Sequence, residues 1–368
     1  MYDIEDFVME NIEGDGTVVL EQEKSSLGKK LPFEFTGSGH DYFPIWIVNV
    51  MLTIITLGIY SAWAKVRTKR YFYLNTKIDG SSFEYHARPI QILKARLIVF
   101  GVFVVYAVAS QINQWVGWGI LLIIYLAVPW LILRAQVFNA RNSSWRNIRF
   151  DFKEDSWKDA YLTFLIFPLL IPFTLGMIIP YLSFRVWRFS ASNGKFGREP
   201  FAFHSVRPDA YYRAFFSVML IFLLSSAVIL ILFGSLFLLF SLNPVSMFLV
   251  QLLPLSLILA LYFVFIPGYR VMTRNISLNG LTLANHTFKS TLKIWPLIWL
   301  YVSNLIVIIL SVGFLTPWAR VRRTRYLVVH LALNAADDLD SFLQIEKTKA
   351  SASGDAAADL MDTDIGGL

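Results

Sequence analysis

Five stretches of this chain carry no Asp, Glu, Lys or Arg: residues 42–64, 97–133, 160–184, 214–269 and 294–319. A hydrocarbon core about 30 Å thick takes roughly 20 apolar residues in a helix, and every stretch reaches that length. No soluble fold needs five such runs. Short segments of alternating apolar and polar residues precede them: Phe33-Glu-Phe35, Phe83-Glu-Tyr85, Phe150-Asp-Phe152, Phe201-Ala-Phe203 and Leu281-Thr-Leu283. Period-two alternation, near turn signals such as Asp79-Gly80 and Asn279-Gly280, predicts a short strand or hairpin arm. Lys and Arg follow each run. The predicted order is strand, membrane segment, basic helix and turn, five times over.

The pattern repeats in its residues as well as in its polarity. Ile55-Thr-Leu-Gly-Ile-Tyr-Ser-Ala-Trp-Ala-Lys-Val-Arg-Thr-Lys-Arg-Tyr71 matches Leu310-Ser-Val-Gly-Phe-Leu-Thr-Pro-Trp-Ala-Arg-Val-Arg-Arg-Thr-Arg-Tyr326 at a constant offset of 255. The same offset pairs Asn49 with Asn304. A weaker copy lies 118 residues after the first, at Thr174-Leu-Gly-Met with Tyr181, Arg185 and Arg188. Phe83-Glu-Tyr-His-Ala-Arg-Pro89 resembles Phe201-Ala-Phe-His-Ser-Val-Arg-Pro208 with one insertion. The fold class expected is an all-α polytopic membrane protein with internal repeats. Short β-strand or hairpin segments and basic amphipathic helices would sit at the membrane interface.

Lys and Arg concentrate in cytoplasmic loops of membrane proteins. Here the linkers 65–96, 134–158, 185–213 and 270–293 hold eight, six, six and four of them, while the turns 111–119 and 241–247 hold none. Keeping every basic linker in the cytoplasm gives four spans plus three re-entrant segments, bent at Gly58, Gly176 and Gly313. Counting each 23- to 26-residue run as one straight crossing gives seven spans instead.

Composition sharpens this picture. The chain has 368 residues, 56% of them hydrophobic and 16% charged, against about 25% charged in soluble domains. The formal charge of +7 is unevenly spread. Residues 1–31 and 331–368 hold eight acids each, and the body between carries 28 Lys or Arg against 10 Asp or Glu. That divides the chain into an acidic, mostly disordered N-terminal tail (1–31), a repeat-built transmembrane domain (32–333) and an acidic, disordered C-terminal tail (334–368). The basic residues lie beside membrane segments, so anionic lipid rather than nucleic acid is the expected partner. The acidic start lacks a basic region followed by an apolar one, so no cleavable signal peptide is expected.

Candidate chemistry is sparse. Cysteine is absent, which removes disulfides, thiolate metal sites and a cysteine nucleophile. The five apolar runs contain no ionisable group, so a proton relay through a membrane carboxylate is not expected. The polar residues within them, Asn49, Thr53, Thr56, Gln251, Ser303 and Asn304, either line a polar path or join helices by hydrogen bonds. The five His lie outside the runs, and His86 and His204 occupy matching positions without metal-ligand spacing. No metal, cofactor or catalytic residue is assigned, and an enzyme is not expected. Arg67, Arg70, Arg322 and Arg325 follow Trp63 and Trp318. The tryptophans are expected to anchor at the interface, and the arginines to hold a lipid headgroup or another anion.

Phe-Glu-Phe-Thr-Gly at 33–37, Gly-Ile-Tyr-Ser-Ala-Trp-Ala-Lys-Val-Arg at 58–67, Pro129-Trp130, Arg134 and Asn139 resemble the YjgN-like family of bacterial inner-membrane proteins, over about residues 31–333. The resemblance implies a multi-pass protein of the bacterial inner membrane and brings no catalytic residues. Two functional expectations follow: a channel or transporter for a small or anionic solute, or a non-catalytic membrane scaffold or anionic-lipid-binding protein.

Overall fold

The computed structural model describes residues 29–203, 205–239, 248, 252–257, 259, 264–336, 339–346 and 348. Ten short antiparallel strands form a closed barrel, and paired helices rise from it. The first unit is β1 (Lys29–Phe35), α1 (Gly39–Ile55), α2 (Ser61–Leu74) and β2 (Thr76–Ile78). The second is β3 (Ser81–Tyr85), α3 (Pro89–Ile112), α4 (Gln114–Arg141) and β4 (Ser143–Trp145). In the third, β5 (Ile148–Phe152) leads to α5 (Trp157–Tyr161), which runs through a π-helical turn (Leu162–Ile166) into a last short turn (Phe167–Leu169). α6 (Ile179–Ser192) and β6 (Gly194–Phe196) complete it. The fourth has β7 (Glu199–Ala202), α7 (Pro208–Leu239), α8 (Ile266–Asn279) and β8 (Thr282–Leu283). The fifth has β9 (His286–Ser290), α9 (Ile294–Leu310), α10 (Thr316–Val329) and β10 (Leu331–Ala335).

Within each unit the outgoing and returning strands pair, and two-residue turns join neighbouring units. Such turns need positive φ, which Asp79 (48°) and Gly80 (71°) supply in one, and Arg146 (48°) and Asn147 (66°) in another. β1 then pairs with β10, Leu31 opposite Leu333, and the ring has no free edge. Alternation does the rest. Phe33, Ile78, Trp145, Ile148, Phe196, Leu283 and Leu333 meet in one buried cluster.

This barrel overturns the expected all-α fold with four or seven spans. Among the described residues, three helices are long and apolar enough to cross a membrane: Pro89–Ile112, Gln114–Arg141 and Pro208–Ser235. The runs at 42–64, 160–184 and 294–319 double back on themselves instead of running straight. At each tip two successive residues are left-handed: Leu57 and Gly58, Leu175 and Gly176, Val312 and Gly313. The glycine N–H then donates to the carbonyl five residues earlier, at 2.7 Å for Gly58 to Thr53 and 2.8 Å for Gly313 to Ile308, the hydrogen bond that ends a helix in the Schellman motif. Length alone could not distinguish 23 apolar residues in one rod from two packed arms. The alternating segment 281–283 was also misplaced as a leading arm: it belongs to returning strand β8, and Phe288 on β9 occupies the leading position.

The outside of the helical crown is apolar. Leu57, Leu175 and Val312 at the tips are 95%, 91% and 87% exposed, and the long helices α3, α4 and α7 expose Ile98, Phe100, Ile123 and Leu224. An uninterrupted apolar surface of this size belongs against lipid rather than water.

Candidate functional site

Where the returning helices meet the barrel they frame an open chamber of about 530 Å³, a size typical of small-ligand sites. Its floor is the upper layer of the barrel. The leading strands β1, β3, β5 and β7 contribute Phe33, Phe83, Phe150 and Phe201. Phe33 and Phe83 stack at 6.2 Å, and Phe83 and Phe150 at 6.4 Å. Below that layer the lumen is filled. Trp145 and Phe196 lie 6.0 Å apart, and residues 339–346, a helical segment, press Leu339 and Leu343 into the same cluster. The segment is held by an Arg146–Asp340 ion pair of 2.7 Å. The Arg198 backbone N–H donates to the buried Glu346 carboxylate at 2.9 Å.

Each of the five returning helices puts one residue into the chamber wall at the same level: Tyr73, Ala140, Ala191, Ser277 and Val328. Arg274 stands three residues before Ser277, the place of Arg70 on α2 and Arg325 on α10, and Gln136 and Trp187 stand four residues before Ala140 and Ala191. Lys69 holds the matching place on α2 and donates to Asn139 Oδ1 at 2.6 Å. Burial, with Lys65 nearby as the lesser cause, lowers its pKa. The chamber's carboxylate, Asp151, is engaged by Arg141 Nε at 2.9 Å. Arg274 and Lys195 also face the chamber.

The residues singled out from the sequence stand elsewhere, in the joints between helices and between units. Asn304 donates to the Ala319 carbonyl at 3.2 Å, and Asn49 donates to the Ala64 carbonyl at 3.5 Å. Each asparagine therefore ties the two arms of its own hairpin, and the two do not meet. Arg322 reaches Ser303 Oγ at 2.8 Å and Asn304 Oδ1 at 3.4 Å, while Arg67 reaches Tyr60 Oη at 2.9 Å. Arg70 donates to the carbonyls of Tyr85 and Ala87 in the next unit, and Arg325 donates to that of Gly37 in the first. Trp318 lies over Gly39 so closely that a Cβ there would fall 2.2 Å from the indole Cδ1. Trp63 stacks on Tyr60 at 6.0 Å. None of these eight lines the chamber.

His86 Nε2 lies 2.7 Å from Ser144 Oγ and 3.4 Å from Glu84. His204 and Gln251 fall outside the described residues, as do residues 1–28 and 349–368 of the acidic tails. Among the described residues no three His, Asp or Glu side chains gather as metal ligands.

Comparison with known proteins identifies the family. A profile of a family described as "Bacterial protein of unknown function (DUF898)" matches residues 30–360. The chain belongs to that family. It is similar to proteins named "Inner membrane protein YjgN": 32% identical over 147 residues to that of Escherichia coli K12 and 31% identical over 147 residues to that of Escherichia coli O157:H7. It is also 29% identical over 150 residues to that of Salmonella typhimurium. Each match covers 40% of this chain and 37% or 38% of the relative, so well under half of either protein is aligned. No solved structure matches. The protein is a multi-pass protein of the bacterial inner membrane.

Proposed function

We propose that this member of the DUF898 family is a non-catalytic membrane protein that holds an amphipathic ligand, an anionic lipid, in the chamber between its barrel and its helices. The observation that carries the reading is the filled lumen below the aromatic floor. A conducting path along the barrel axis has no room past Phe33, Phe83, Phe150 and Phe201, with Trp145, Phe196, Leu339 and Leu343 beneath them. What is left open is a chamber closed toward the barrel lumen, mostly apolar, with a few polar side chains in its wall. A ligand with a polar head and apolar chains fits that distribution. Solute transport, the other expectation from the sequence, would require the lumen to open. The same reading takes the five strand, helix-pair, strand units as copies of one repeat whose assembly creates the chamber.

The test is mass spectrometry of the intact protein released from membranes in mild detergent. A retained anionic phospholipid, close to one per chain, is expected. A chain that sheds every lipid under conditions that keep it folded contradicts the reading.

A further inference from the structure

Two cations face the chamber, Arg274 on α8 and Lys195 on β6. Neither makes an ion pair or a side-chain hydrogen bond among the described residues, and Arg274 Nε is fully shielded from solvent without a partner. Asp151, the carboxylate of the chamber wall, is already taken by Arg141. Lys195 stands opposite Asp151 in the strand register, so the chamber cation left without a carboxylate across from it is Arg274. Arg274 is half-buried, and a cation held at a cavity wall without a counter-charge points to a missing anion.

We propose that Arg274 is the anion-binding residue of the chamber, with Lys195 as the second cation, and that the ligand they receive carries a phosphate monoanion or diester. This rests on the lipid reading above and makes it specific at one residue. Arg is suited to the task because its planar fork meets two phosphate oxygens at once. Ser277, one turn on in the same wall, is already engaged: its hydroxyl donates to the Thr273 carbonyl at 2.6 Å and lies 2.5 Å from Tyr211 Oη, which leaves Arg274 as the donor at this point of the wall. Trp187 and the phenylalanine floor offer apolar surface for chains below the head. Burial lowers the pKa of Arg274, and the neighbouring Arg323 lowers it further against a smaller opposing effect of Tyr301. Three residues before the wall residue, the place of Arg274 is taken by Arg70 on α2 and Arg325 on α10. Those two arginines donate to backbone carbonyls of the following unit, whereas Arg274 Nε has no partner.

The same phosphate chemistry could come from a phospholipid head or from free phosphate, and the experiment separates them. The full chain in nanodiscs would be titrated with brominated phosphatidylglycerol, brominated phosphatidylcholine or inorganic phosphate, with Trp fluorescence as readout. A W187F variant would identify the signal from the chamber. In the native chain, brominated phosphatidylglycerol is expected to quench the Trp187 component. R274Q should weaken that quenching roughly 10- to 100-fold, the loss of one charge-assisted hydrogen-bonded contact. R274K, which keeps the charge and loses the fork, should retain part of the quenching, a graded loss that misfolding would not give. Equal quenching in R274Q and native protein overturns the assignment of Arg274 and leaves the lipid chamber standing. No Trp187 quenching by either lipid overturns the lipid chamber itself. Should phosphate alone protect the site while neither lipid enters, the anion site stands with a free anion as its ligand and the lipid head is overturned.

Discussion

Arg325 on α10 donates from Nη2 to the carbonyl of Gly37 at 2.9 Å, joining residues 288 apart in sequence. Arg70, 255 residues earlier, makes the same kind of contact to the carbonyls of Tyr85 and Ala87, at 3.2 and 3.4 Å. Gly37 ends the Phe33-Glu-Phe-Thr-Gly segment and Ala87 ends Phe83-Glu-Tyr-His-Ala, so each arginine clamps the equivalent point of the following unit. The final arginine has the first unit as its follower. It closes the ring.

R325Q is therefore expected to lower stability by about 1–2 kcal/mol, the range for hydrogen bonds from charged groups. R70Q should cost no more than that, since its ring joint is also supported by the β2–β3 connection. Thermal unfolding in detergent decides the order. An R70Q chain clearly less stable than R325Q would contradict the closure role.

The two asparagines differ in a way that sequence symmetry hides. Asn304 has its amide nitrogen on the Ala319 carbonyl and its oxygen on Arg322, whereas Asn49 Oδ1 is buried without a partner. N304L should destabilise by roughly 1–3 kcal/mol because it strands buried partners. N49L should be near neutral. Equal losses at the two positions would show that the hydrogen bonds do not carry the difference.

Gly39 lies under the Trp318 ring, and a methyl group there has nowhere to go. G39A is expected to cost about 1–3 kcal/mol through overpacking, and W318L on the same chain should recover part of it. A double-mutant cycle measures the coupling. Additive losses would place the strain elsewhere.

Lys69 sets a pH dependence. Its folded-state pKa lies below the ordinary 10.5 because burial disfavours the charge, with Lys65 adding to that. Between the lowered value and 10.5 the unfolded chain holds a proton that the folded chain has lost, so this group's contribution to stability rises with pH across that window. K69Q should lack that rise while keeping a hydrogen-bonding group near Asn139. Parallel stability curves for the two proteins from neutral pH to pH 10 would remove Lys69 as the cause.

Much of this fold was visible in local pattern, because a charge-free run, a Gly-x-x-x-x-Trp-Ala spacing and a Phe-x-Phe alternation are each written in consecutive residues. The tips at Gly58, Gly176 and Gly313 were marked as bend points for the same reason. The barrel was not legible. Its strands are two to seven residues long, and the pair that closes it, Leu31 with Leu333, has no local signal at all. Leu281-Thr-Leu283 looked like a leading strand because alternation has no direction. The candidate site was missed for a related reason. Arg67, Arg70, Arg322 and Arg325 stood out by clustering, while Arg274 and Lys195 lie 79 residues apart and share a site only when β6 and α8 border one chamber.

The central claim is that the chamber, and not the outer apolar surface, holds the lipid. Ala191 is a small residue of the chamber wall, so A191W fills the space while leaving the outer face of the crown untouched. Lipid retained per chain would be measured by intact-protein mass spectrometry for the native protein and for A191W at matched thermal stability. The account predicts about one anionic lipid on the native chain and its loss from A191W. Retention of the same lipid by A191W would contradict it, placing the lipid on the outside of the protein.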